Sequence, residues 1–154
     1  VSILGNALIL PAPRNLFLIR DGDTVPEFTR TNRRYSGSAA SAKTPTVTYG
    51  DGFLTVSDWQ GGGTFETVEP FDLTKYSTVH IVLQSCTSGC HICFDTSNSG
   101  YWQNAAFRYT PGSQGNVELV RDISDLSGLH YFFIGVSNAS TTSTIRIISI
   151  WLEP

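Results

Sequence analysis

Hydrophobic residues in this chain come in short runs, often alternating with polar ones, and turn formers interrupt them roughly every ten residues. Leu16–Ile19 is β-prone and stops at the turn signal Arg20–Asp23. Thr46–Tyr49 and Phe53–Val56 flank Gly50-Asp51-Gly52, a strong hairpin turn. Thr64–Val68 is the next strand. The stretch Phe71–Gln84 opens with a turn and then alternates, so that Val79, Ile81 and Leu83 share a face. Cys90–Phe94 returns with Cys90, Ile92 and Phe94 on one face. Ala105–Tyr109 and Val117–Val120 read as strands, and Asp122–Gly128 as a polar turn. Tyr131–Val136 and Thr144–Leu152 are the most apolar strands. Residues 29–46 read as an irregular excursion holding the one basic cluster, Arg30, Arg33 and Arg34. No stretch keeps a helical apolar period beyond two turns, and no internal repeat is visible.

About eight to ten strands joined by short links must be mostly antiparallel. A set of that size curls into two packed sheets. The fold class expected is therefore all-β: an antiparallel two-sheet β-sandwich of jelly-roll type. The sandwich spans residues 15–154. Residues 1–14, an apolar lead-in followed by Pro11 and Pro13, read as a linker or as a contact between copies, a trimer for instance. Pairing Phe71–Gln84 with Cys90–Phe94 as a hairpin would set Leu83 against Ile92 and Ile81 against Phe94. It would also put His80 opposite Asp95 on the outer face. Trp151 is expected in the core.

Composition narrows the class. The chain has 154 residues and a net charge of −3, with 15% charged and 40% hydrophobic residues. That excludes disorder. An acidic chain with ten Lys plus Arg lacks the concentrated positive footprint of a nucleic-acid binder. The apolar start is too short to insert in a membrane. Ser and Thr form about a fifth of the chain and there are 14 Gly and no Met, which suits a neutral-surfaced extracellular domain cut or processed from a longer protein.

No catalytic pattern survives scrutiny, and the chain is read as a non-enzyme without a cofactor. Cys86, Cys90 and Cys93 have the C-x3-C-x2-C spacing of an iron–sulfur loop. Their flanks are strands, however, and one metal cannot be reached from both faces of an extended strand. With Cys90 inward, His91 and Cys93 point outward. Zinc on Cys86, His91 and Cys93 would need a bulge. The simpler reading is three small apolar side chains, with a Cys86–Cys90 bridge as the remaining alternative. Asp21 and Asp23, or Asp122 and Asp125, suit tight turns better than a calcium loop. His91 and His130 read as surface or rim residues. No Ser stands in a nucleophile elbow, and Gly61–Gly63 lacks the Lys of a phosphate loop.

The feature that invites a ligand is aromatic. Trp59 and Gln60 precede a triple glycine, and Tyr101, Trp102, Gln103 and Asn104 share a polar loop. Large rings in polar loops suit stacking on the apolar C–H faces of sugars, and neighbouring amides suit hydroxyls. These six residues are the candidate glycan site, the alternative being that the two Trp fold back as lids.

The segments Asp72–Ile81, Val120–Gly128 with Tyr131–Gly135 and Ile147–Glu153, and Asn15–Asp23 are similar to strand openings and turns of galactose-binding-like and carbohydrate-binding jelly rolls. More narrowly, the combination resembles β-sandwich domains of phage or prophage tail and virion structural proteins. The likeness implies a fold and an exposed binding or assembly surface, and no catalytic residue. Three readings follow: a virion tail or fibre module contacting a host-surface glycan, a carbohydrate-binding module of a secreted polysaccharide-degrading enzyme, and a purely architectural part packed against other virion subunits.

Overall fold

The computed structural model describes residues 2–4, 7–9, 14–31, 44–59, 62–98, 103, 105–137 and 142–154. In chain order the strands are β1 (Ser2–Leu4), β2 (Ala7–Ile9), β3 (Leu16–Arg20), β4 (Asp23–Thr24), β5 (Phe28–Thr31), β6 (Thr46–Gly50), β7 (Phe53–Trp59) and β8 (Gly62–Thr67). They continue as β9 (Phe71–Asp72), β10 (Thr78–Cys86), β11 (Cys90–Asp95), β12 (Phe107–Tyr109), β13 (Val117–Asp122), β14 (Leu129–Ser137) and β15 (Thr142–Glu153). All pairings are antiparallel. β1 and β2 pair with each other as a separate two-stranded unit. The others form a seven-stranded and a six-stranded sheet packed as a sandwich. The strand total exceeds the eight to ten expected because pieces as short as β4 and β9 leave almost no trace in a hydropathy pattern.

The seven-stranded sheet runs β13–β10–β15–β3–β4, and β7 with β6 shares the second edge of β15. β15 can serve both β3 and β7 because it is 12 residues long: Thr142–Ile147 pairs with β7 and Ile150–Leu152 with β3. The two hairpin turns on that edge meet end to end. Asp21 and Gly22 have φ of 49° and 84°, and Asp51 and Gly52 have 57° and 80°. Two successive positive φ values are the geometry that tight hairpins require. Gly22 donates its N–H to the Ile148 carbonyl (2.8 Å). A Cβ on Gly22 would stand 2.6 Å from the Phe53 nitrogen, so close backbone approach as well as φ demands glycine. The six-stranded sheet runs β12–β11–β14–β8–β5, with β9 on the start of β14.

The core lies between the sheets. One side brings Leu18, Ile19, Leu54, Val56, Val79, Ile81, Leu83, Ile145, Ile147, Ile150 and Leu152, and the other Phe65, Ile92, Phe94, Phe132, Ile134 and Val136. The Phe94 ring sits at 5.3–6.1 Å from those of Phe71, Phe107 and Phe132. The turns at Leu73 and at Ile123–Leu126 push apolar anchors inward while Asp72 and Asp122 accept the N–H of Thr74 (2.9 Å) and Ser124 (2.7 Å). This is the turn role expected of Asp122.

Several sequence expectations need correction. β10 and β11 do not form a hairpin: they belong to different sheets, and the link 87–89 arches across the sandwich. Leu83 and Ile92, like Ile81 and Phe94, are core residues but not strand partners. His80 accordingly lies opposite Val120 and Trp151 rather than Asp95. Trp151 is not core. It is half-buried on the outer face of the seven-stranded sheet, its ring stacked between His80 (4.6 Å) and Phe17 (5.6 Å). Glu153 accepts from Trp151 Nε1 (3.2 Å), and its carboxylate lies 3.1 Å from His80 Nε2. The excursion begins later than residue 29, because Phe28–Thr31 is a strand on β8; Arg33 and Arg34 lie outside the described residues.

Candidate functional site

The outer face of the six-stranded sheet departs from the usual pattern of a solvated sheet surface. Strand alternation sends Arg108, Cys93, Phe133, Glu66 and Thr29 to this face in one row across β12, β11, β14, β8 and β5. The next row holds His91, Gly135, Thr64 and Thr31, and a third holds Asp95 and Tyr131. Cys93 is 0% exposed, Phe133 1%, Glu66 3% and His91 6%. Arg108 and Thr29 are exposed, and Tyr131 and Thr31 half-buried. Buried polar groups therefore stand on a face where solvent-facing residues would suffice, and Thr31, Thr64, Glu66, His91, Asp95 and Arg108 each have a partner.

Those partners are specific. Thr31 and Thr64 share a hydroxyl–hydroxyl bond of 2.5 Å, and Thr64 donates to Glu66 Oε2 (3.2 Å). His91 Nδ1 bonds to the Thr110 hydroxyl (2.9 Å). Asp95 accepts from the Thr96 N–H (2.8 Å) and the Ser97 hydroxyl (3.2 Å). Glu66, His91 and Arg108 make additional interactions. Burial, and then the Arg108 guanidinium, lower the His91 pKa to about 4, so the imidazole is neutral at pH 7. Burial pushes the Cys93 thiol well above its ordinary value, leaving it an un-ionised apolar group. The face thus exposes the Arg108 guanidinium and the Thr29 hydroxyl, with Thr31 and Tyr131 half-exposed and Glu66, His91 and Asp95 buried beneath them.

Of the residues singled out in sequence, Trp59 closes β7, where its backbone pairs with Thr142. Gln103 is exposed and engaged in an interaction. Gln60, Tyr101, Trp102 and Asn104 lie outside the described residues. Trp59 stands at the sandwich end where β10 finishes and β11 begins, whereas the segment holding Gln103 leaves β11 at Asp95, the far end. His91 and His130 are buried rather than at a rim; the ring of His130 bonds to the Gly128 carbonyl (3.1 Å). Zinc on Cys86, His91 and Cys93 is ruled out by placement, since Cys86 faces the core and the other two face away from it. Among the described residues no three His, Cys, Asp or Glu side chains converge on one point.

No protein-family model and no curated protein sequence matches this chain. Its fold is that of the carbohydrate-binding-module β-sandwiches. A family 29 carbohydrate-binding module is similar at a TM-score of 0.58 and 8% identity over 92% of each chain. Another family 29 module, from Piromyces equi, gives 0.54 and 11% over 92% of this chain and 91% of that one. A low-affinity xylan-binding module of family 86, from Roseburia intestinalis, gives 0.50 and 10% over 84% and 95%.

Proposed function

We propose that this chain is a non-catalytic glycan-binding domain. The observation that carries the reading is the polar and aromatic set on the outer face of the six-stranded sheet, within a fold shared with carbohydrate-binding modules. Arg108, Thr29 and Tyr131 are the members that reach the surface, over a foundation of Glu66, His91 and Phe133. Tyr101, Trp102, Gln103 and Asn104, in the segment between β11 and β12, are assigned as stacking rings and amides beside this face, and Trp59 with Gln60 as a separate contact at the other end of the sandwich. Sugar recognition by a few rings and directed hydrogen bonds needs no charge surplus, in keeping with the net charge of −3.

The ligand we assign is a host cell-surface glycan met by an extracellular virion tail or fibre protein, a reading supported by the sequence resemblance. The second reading, a module of a secreted polysaccharide-degrading enzyme, is favoured by the described nature of the fold neighbours. Residues 1–14, with the β1–β2 pair, are proposed as a contact between copies. A glycan array on the domain tests the shared claim. Binding that falls at least tenfold in Trp102→Ala, Trp59→Ala or Arg108→Ala supports it. Binding unaffected by all three removes this site, and an array without any bound glycan favours a purely architectural role among virion subunits. Mass in solution with and without residues 1–14 tests the contact.

A further inference from the structure

Cys86 ends β10 in one sheet and Cys90 opens β11 in the other, and both side chains enter the same core cluster. Only Thr87, Ser88 and Gly89 separate them, turned by Gly89 at φ 83°. That arch is pinned on every side. Gln114 exchanges both backbone bonds with Cys86 (2.9 and 3.0 Å). Thr87 donates its N–H to the Thr144 carbonyl (2.9 Å), and Ser143 donates to the Ser88 carbonyl (2.9 Å). Ser88 donates its N–H to Ser113 Oγ (3.1 Å). The two sulfurs are therefore held towards each other by a fixed turn. Cys86 Sγ donates to the Thr87 carbonyl (3.0 Å), and interaction with Cys90 lowers the Cys86 thiol below its ordinary value while the same interaction, with burial, drives Cys90 up. Cys93 projects from the opposite face of β11 and reaches neither.

We propose that Cys86 and Cys90 are an intrachain disulfide site that fastens the two sheets together at this end of the sandwich, with Cys93 remaining a thiol. The oxidant is a low-molecular-weight disulfide. The Cys86 thiolate attacks one sulfur of it, forming a mixed disulfide and expelling one thiolate. The Cys90 thiolate then attacks the Cys86 sulfur and expels the second. One external disulfide is reduced to two thiols, which carry away the two protein protons, and one protein disulfide is formed. Because both sulfurs are buried, closure belongs to folding or to opening of the arch rather than to the resting domain.

The test is to refold the chain in a mixture of oxidised and reduced glutathione, then count thiols in denaturant. One free thiol per chain is expected, against three after dithiothreitol, with a mass lower by about 2 Da for the two hydrogens lost. Cys93→Ala should leave no free thiol and Cys86→Ala two. The short loop closed should raise the melting temperature by about 4–8 °C over the reduced chain. Three free thiols in the refolded wild type, or a bond assigned to Cys93 by tandem mass spectrometry, overturns the proposal. Wild-type thiol count and bond assignment decide it even where a variant fails to fold.

Discussion

Protonation of His91 should be the step that loosens this domain in mild acid. The imidazole is 6% exposed and lies one strand from the Arg108 guanidinium. Burial and that neighbour take its pKa from 6.5 to about 4. The sign follows from linkage. The unfolded chain binds the proton near pH 6.5 and the folded chain only near pH 4, so the contribution of a neutral His91 is complete above pH 6.5. It is lost progressively as pH falls from there to about 4. A depression of this size corresponds to about 3 kcal/mol over the window. Urea unfolding of the wild type and of His91→Gln, between pH 7.5 and 4, isolates the residue, because the other titrating groups cancel in the difference. The wild type should lose about 2–3 kcal/mol more than the variant. Arg108→Gln should retain part of the effect and shift its lower limit upward. Parallel stability curves for wild type and His91→Gln would refute the reasoning, and so would a His91 ring titrating near pH 6.5 by NMR.

Two packing predictions accompany this. Phe94→Ala removes a fully buried ring that touches three others and should cost about 3–5 kcal/mol, read as a lower urea midpoint at unchanged slope. Gly22→Ala places a Cβ against the Phe53 and Gly52 backbone at a φ of 84°, and should cost at least about 2 kcal/mol; a melting temperature within 2 °C of wild type, using about 2–4 °C per kcal/mol, would show that the turns do not abut.

The sandwich was legible in sequence because its strongest signals are local. Asp21-Gly22 and Asp51-Gly52 state their turns directly, and the period-two pattern puts Val79, Ile81, Leu83, Cys90, Ile92 and Phe94 in the core, where they are found. The same pattern is silent about neighbours. A hairpin and an arch between sheets bury identical residues, so β10 and β11 read equally well as either. Trp151 was misplaced for a different reason. Ile145 and Ile147 face inward at odd positions, but a register shift between Ile147 and Ser149 moves the inward set to Ile150 and Leu152. A bulge of one residue turns every later side chain over, and nothing in the local sequence announces it. The candidate face was half legible. Cys93 and His91 were expected to point outward, as they do. Glu66, Thr64 and Arg108 were not singled out, because what distinguishes them is burial, for Thr64 and Glu66, and lateral registry across the strands, for Glu66 and Arg108.

The length of β15 bears on how the domain comes into being. Residues 142–153 supply the strand against which β10, β3 and β7 all dock. Until they clear the ribosome, the seven-stranded sheet has no centre. Its earlier strands wait with unpaired edges until β15 is available to them. A nascent chain halted before residue 142 should remain protease-sensitive throughout, and the interval before β15 emerges is when this domain is most exposed to aggregation.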